Sequence, residues 1–201
     1  MKKLLEKIEK FLNSSEEERF IGDIDAVKDG PLEIIIVSDN HLDKSGLEKV
    51  LEYHTDVDGF LHCGDSNLEA DSDLMKPFIT VKGNTDHLQD YKNEEKIKLA
   101  TGELIWMTHG HNYLVGNGTD RLLTRAKKMN QLPAIILYGH THRVDVRMQE
   151  GILIINPGSI AIPRDGIYRT YAKLQVTPER YHIQILHIKD HIVLKEFQFP
   201  R

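Results

Sequence analysis

Ile34-Ile35-Ile36-Val37, followed at once by Ser38-Asp39-Asn40-His41, is the stretch that decides the fold. Four β-branched residues in a row suit a strand buried on both faces. The polar cluster behind them falls where an open α/β sheet gathers its ligands, at the carboxyl end of a strand. The pattern recurs. Gly59-Phe60-Leu61 runs toward Gly64-Asp65, Phe78-Ile79-Thr80-Val81 toward Gly83-Asn84-Thr85-Asp86, Leu104-Ile105-Trp106-Met107 into Thr108-His109-Gly110-His111, and Ala134-Ile135-Ile136-Leu137 toward Gly139-His140-Thr141-His142. Two aspartates, an asparagine and several histidines are thus expected along one edge of one sheet.

Working outward, strands are expected at 33–38, 59–62 and 78–81, with helices at 44–53 and near 67–75. A hairpin of 95–100 and 103–108 turns at Thr101-Gly102, helix 119–130 follows, and a strand covers 134–138. The remainder is nearly all strand, at 143–149, 151–156, 169–176, 181–188 and 191–198, with a turn at Glu150-Gly151. An α/β first half followed by antiparallel hairpins predicts two packed sheets with helices outside. Upstream, Leu4, Leu5, Ile8, Phe11 and Leu12 recur at helical spacing, and Ser15 with Glu18 forms a capping-box pattern. Residues 1–30 therefore form a helical appendage expected to serve packing or association, and Asp29-Gly30-Pro31 is the turn that opens the main domain, 31–201.

The 201 residues, 40% hydrophobic and 28% charged, are ordinary for one globular domain. A net charge of −5 argues against a stable nucleic-acid partner bound through a basic face. The lone Cys63 excludes an internal disulfide and suits a reducing cytoplasm. No apolar run spans a membrane and no signal-peptide core forms, because Glu6, Lys7 and Glu9 interrupt the first apolar residues.

Residues i and i+2 of an extended chain face the same side, so Asp39 with His41, and His140 with His142, are each able to grip one ion while Asn40 points away. Each cluster alone is a weak signal, and their conjunction behind five strands is a strong one. Asp39, His41, Asp65, Asn84, His109, His140 and His142 are too many ligands for one zinc with an open position. They suit two ions sharing a carboxylate. Nitrogen and oxygen donors without thiolate favour manganese, zinc, iron or nickel, with manganese foremost. Two ions about 3.5–4 Å apart clamp an in-line displacement at phosphorus, so phosphoester hydrolysis is the natural reaction. The expected substrate is a small phosphoester or nucleotide-like molecule.

The order Asp-x-His, Gly-Asp, Gly-Asn-x-Asp, His-Gly-His, Gly-His-Thr-His resembles the calcineurin-like metallophosphoesterases, most of all their small single-domain YfcE-type phosphodiesterases. Asn156-Pro157-Gly158-Ser159 with Pro163-Arg164 extends the likeness, which covers roughly residues 32–199. The resemblance implies a four-layer α/β/β/α sandwich of two mixed sheets with a dinuclear site. It also divides the ligands, which spacing alone does not. Asp39, His41 and His142 hold the first ion, Asn84, His109 and His140 the second, and Asp65 bridges them. Asp65, Asn84 and His109 are expected to be catalytic as well as ligating, and Asn40, His111 and Arg164 to face the substrate.

The chain departs from the larger phosphatases of that superfamily at Thr85, where they carry a histidine that protonates the leaving group. A threonine hydroxyl is no general acid near neutral pH. Phosphodiesters with good leaving groups are therefore expected ahead of monoesters. A non-catalytic scaffold, as in the retromer subunit similar in architecture, is the other class; a homo-oligomer is compatible with either. Ser159 is read as a turn residue and Cys63 as core. His54, His62, His87, His182, His187 and His191 receive no catalytic role.

Overall fold

The computed structural model describes residues 19–22, 30–87 and 90–201. The expected N-terminal helix and most of the appendage lie outside these residues. Within the appendage, Arg19–Ile21 forms an edge strand, β1, pairing in parallel with β5, Glu94–Leu99. Its Ile21 is buried in the central core.

One six-stranded sheet has the order β1-β5-β6-β7-β9-β8, with β6 at Leu104–Thr108, β7 at Ile135–Leu137, β8 at Val144–Gln149 and β9 at Ile152–Pro157. The other runs β12-β11-β10-β2-β3-β4, with β2 at Leu32–Val37, β3 at Gly59–His62, β4 at Phe78–Thr80, β10 at Thr170–Val176, β11 at Arg180–His187 and β12 at Val193–Pro200. Both sheets are mixed. The strands β2, β3 and β4 are parallel neighbours, as are β6, β7 and β9, and the other pairs are antiparallel apart from β1 with β5.

Side-chain alternation explains why the central strands read as unbroken apolar runs. Ile34 and Ile36 of β2 enter the core between the sheets with Ile105, Met107, Ile135, Leu137, Leu153 and Ile155. Ile35 and Val37 face outward, under Leu47 and Val50 of helix α1, Lys44–Tyr53. Trp106, Ile136 and Ile154 face the opposite way, under Leu122, Leu123 and Ala126 of α2, Asp120–Ala126. The result is the four-layer α/β/β/α sandwich. The Asp43 carboxylate caps α1 by accepting the Gly46 N–H at 3.3 Å. The β8–β9 turn falls at Glu150 and Gly151, with φ of 53° and 77°, the left-handed pair that a two-residue hairpin requires.

Two helices differ from expectation. The segment near 67–75 is a chain of turns, because hydrogen bonds run Ser72 N to Glu69 O and Met75 N to Ser72 O without continuing a helical ladder. The Ser72 hydroxyl also occupies the Glu69 carbonyl at 2.7 Å. Helix α2 stops at Ala126, short of 130. Its last turn tightens into three-residue bonds, Lys128 N to Arg125 O and Met129 N to Ala126 O, four residues ahead of Pro133.

Candidate metal centre

Parallel strands share a carboxyl end, so β2, β3 and β4 deliver Ser38–His41, Gly64–Asn67 and Gly83–Asp86 to the same place. The strands β6 and β7 deliver His109–His111 and Gly139–His142 to it from the facing sheet. The ligand edge is thus shared by two sheets, where one sheet was expected. Extended geometry is not what makes the residues converge, either. Asp39, His41, Asp65, His140 and His142 all have left-handed backbones, with φ between 43° and 68°. Such conformations cost about 1 kcal/mol or more each for residues with a side chain, and persist where surrounding structure enforces them.

All seven candidate ligands come together. His142 Nε2 lies 3.2 Å from Asp39 Oδ1 and 3.2 Å from His41 Nε2. His109 Nε2 lies 3.3 Å from Asp65 Oδ2 and 3.1 Å from Asn84 Oδ1, and His140 Nδ1 is 2.8 Å from the same asparagine oxygen. Asp65 Oδ2 stands between the two groups, 3.9 Å from His41 Nε2.

This cluster fits a cation and little else. The outer nitrogens of His41, His109 and His142 rest on Asn67 Oδ1 at 3.2 Å, the Cys63 carbonyl at 2.7 Å and the Ile162 carbonyl at 2.6 Å. Those acceptors place the ring proton on Nδ1 in each neutral imidazole, leaving every Nε2 lone pair aimed inward. Lone pairs therefore face lone pairs and carboxylate oxygens. Among the described residues Asp39 Oδ1 is buried with no hydrogen-bond partner, while its Oδ2 accepts from Ser38 Oγ at 2.5 Å and from the His140 N–H at 3.2 Å. Burial by itself would raise the Asp65 carboxyl, yet contact with His109 and the Thr85 N–H holds it well below the usual carboxylate range. Burial would lower His109 and His142, and their carboxylate neighbours Asp65 and Asp39 raise both instead. A divalent ion displaces such protons.

A buried scaffold sets these positions. Asp86, with no histidine to orient, accepts the N–H groups of Asp65 at 2.8 Å, Gly83 at 2.8 Å and Asn67 at 2.6 Å, stitching two ligand loops together. Thr85 donates its hydroxyl to Asn67 Oδ1 at 3.2 Å and its N–H to Asp65 Oδ1 at 2.8 Å, so it ties the same loops. A Cβ on Gly83 would stand 2.0 Å from Asp65 Oδ1, and one on Gly139 would stand 2.1 Å from Ser38 Oγ. Only glycine permits that approach. Asn156 Nδ2 holds the Gly139 carbonyl at 2.8 Å. Ser159 Oγ accepts the N–H groups of Ala161 at 3.1 Å and Ile162 at 2.8 Å, the turn role expected, and also donates to the distant Asp39 carbonyl at 2.8 Å.

Three residues expected at the substrate differ in placement. Asn40 is fully buried, with Oδ1 held 2.8 Å from His62 Nε2, and faces away from the cluster. The tight left-handed backbone on either side of it turns its side chain inward. His111 sits beside the candidate ligands, its ring centroid 5.4 Å from that of His109, and its Nδ1 is buried without a partner among the described residues. Arg164 is exposed and lines a pocket that begins at His140.

His62, given no role from sequence, is the hidden positioning residue. Its Nδ1 accepts the Gly64 N–H at 3.1 Å while Nε2 donates to Asn40, an arrangement open only to the neutral ring. Burial pushes its pKa down to about 4, and burial does the same for His54 at the C-terminal end of α1. Between pH 6.5 and 4 the unfolded chain takes up these protons first. Stability from these groups is therefore complete above 6.5 and lost as pH falls through that window. His109 and His142, whose values are raised, act with the opposite sign. The informative readout is therefore the comparison of wild type with His62→Gln in metal-free protein. Urea unfolding at pH 7.5 and 5.0 is expected to show a wild-type acid loss larger by on the order of 1 kcal/mol or more. Equal losses would contradict the neutral-ring assignment.

The sequence profile of the calcineurin-like phosphoesterase superfamily domain matches residues 32–179. The chain is 34% identical over 144 residues to the probable metallophosphoesterase YsnB of Bacillus subtilis, covering 71% of this chain and 83% of that protein. It is 29% identical over 166 residues to phosphodiesterase MJ0936 of Methanocaldococcus jannaschii, covering 71% and 95%. A solved structure described as a predicted phosphoesterase from Streptococcus pneumoniae superposes with a TM-score of 0.79 at 32% identity, covering 87% of this chain and all of that one. Vacuolar protein sorting 29 from Cryptosporidium parvum shares the fold alone, with a TM-score of 0.71 at 15% identity over 86% of this chain and 100% of that one.

Proposed function

The chain belongs to the calcineurin-like phosphoesterase superfamily, and on that premise we propose that it hydrolyses phosphodiesters with two divalent metal ions, manganese foremost. The observation that carries this reading is the inward convergence of Asp39 Oδ1, Asp65 Oδ2, Asn84 Oδ1 and the histidine lone pairs with no donor among them. Asp39, His41 and His142 hold one ion and Asn84, His109 and His140 the other. Asp65 Oδ2, within 3.9 Å of His41 Nε2 and 3.3 Å of His109 Nε2, serves both. When bound, two such ions supply an electrophilic clamp on phosphorus and an acidified water as nucleophile. The protein's own part is to hold seven donors rigid and to orient the ester.

His111, Arg164 and the exposed edge of His140 face the space the substrate takes. Thr85 supplies no proton, because its hydroxyl is already committed to Asn67. Leaving groups that depart as stable anions are therefore favoured, and a diester of nitrophenol is such a substrate. The phosphodiesterase MJ0936, similar to this chain, supports the same class. The scaffold reading, suggested by the fold shared with vacuolar protein sorting 29, is disfavoured by the intact donor set.

Manganese-loaded protein is expected to turn over bis-(p-nitrophenyl) phosphate faster than glycerol phosphate, an alkyl monoester. Faster turnover of the monoester would make the chain a monoesterase. Inactivity on both with two ions bound would restore the scaffold. Among the described residues, no helix is long and apolar enough to cross a membrane.

A further inference from the structure

A pocket of about 460 Å³ opens beside the metal ligand His140, and its lining includes Arg143, Arg147 and Arg164. The three arginines are not equivalent. Arg147 pairs with Asp145, donates Nη2 to Thr119 Oγ1 at 2.7 Å and Nε to Gln149 Oε1 at 3.2 Å, so its guanidinium is spent on the wall. Asp145 also accepts the Tyr138 hydroxyl at 2.5 Å. As the one acidic residue in the lining, it is neutralised in place. Arg143 and Arg164 remain exposed, and among the described residues neither has an ion-pair partner. Both issue from backbone fixed at the centre. Arg143 follows the ligand His142 directly, and the Arg164 N–H donates to the His142 carbonyl at 2.9 Å. The lining also contains Gly116 and Gly118, where an added Cβ would meet nothing within 4 Å.

We infer that this pocket is a subsite for a second phosphate, so that the substrate is a phosphodiester carrying a further phosphate group, as in a nucleotide phosphorylated on its sugar. Two free guanidiniums on a chain of net charge −5 are a local reversal of sign. The planar fork of arginine matches a phosphate bidentately. A bare diester leaves this pair of guanidiniums without a second phosphate to hold, whereas one with a second phosphate spans both sites. The inference rests on the phosphodiesterase reading, and the following experiment separates the two.

Manganese-loaded protein is assayed on thymidine 5′-(p-nitrophenyl phosphate) and on the same ester bearing a 3′-phosphate. The 3′-phosphate is expected to raise kcat/KM by about tenfold or more, the range of a charge-assisted contact. In the R143Q R164Q variant that ratio is expected to approach one. Independently of turnover, calorimetry with thymidine 3′,5′-bisphosphate and thymidine 5′-monophosphate is expected to show tighter binding of the bisphosphate, with the difference lost in the variant and reduced by salt. Metal content and thermal melting verify that the variant is folded. A wild-type ratio near one, or a preference that survives the double substitution, overturns the subsite. Arginine-dependent bisphosphate binding without hydrolysis of either ester would leave the subsite standing and sink the phosphodiesterase reading.

Discussion

Asp65→Ala is expected to cut bound manganese from about two ions per chain to fewer than one, and to lower diester turnover by at least about 100-fold. The lower bound follows from the 10- to 100-fold cost of removing groups that merely orient ligands. Asp65 does more than orient. Its Oδ2 reaches toward both His41 and His109, so its loss removes a donor from each group at once. The fold should survive. The main chain of Asp65 stays bonded to Asp86, and the Thr85 N–H loses one acceptor. Asp65→Asn retains that acceptor while an amide NH2 replaces the bridging oxygen, which separates loss of metal from local collapse. Metal analysis showing two ions in the alanine variant would refute the bridging role.

The largest effect on stability is expected from Asp86→Ala. The carboxylate is fully buried and accepts three main-chain N–H groups, from Asp65, Gly83 and Asn67. Each buried donor left unpaired costs about 1–3 kcal/mol, so metal-free protein should lose more than about 3 kcal/mol. That is a large share of the 5–15 kcal/mol typical of a domain. Urea unfolding reads the difference, and a loss under about 1 kcal/mol would show that water replaces the carboxylate. Gly83 and Asp65 sit against each other, so the same substitution should also loosen manganese binding.

The candidate ligands were legible because each stands in a short cluster just behind an apolar strand, and a local signal survives translation into sequence. The β-branched run Ile34–Val37 announced its burial on both faces in the same way. What the chain does between clusters was not. That Asp39 and His41 converge through left-handed backbone is a property of the enclosing loops, since an aspartate and a histidine i, i+2 apart look the same in a strand. Asn40 reads as a substrate contact by adjacency and is buried because His62, 22 residues away, claims its oxygen. His62 has no motif of its own. Arg143 and Arg164 lie 21 residues apart and meet in one pocket only because Arg164 bonds back to His142. The helix expected near 67–75 gives way to turns, with Ser72 competing for the backbone.

Two metal ions, held by these seven residues, are expected to carry the hydrolysis of a phosphodiester. Metal-free protein titrated with manganese, with bound metal and bis-(p-nitrophenyl) phosphate turnover followed together, tests it most directly. Turnover should be absent without metal and should rise to a plateau as occupancy reaches two ions per chain. Turnover that persists in metal-free protein, or that is complete at one ion per chain, would contradict it.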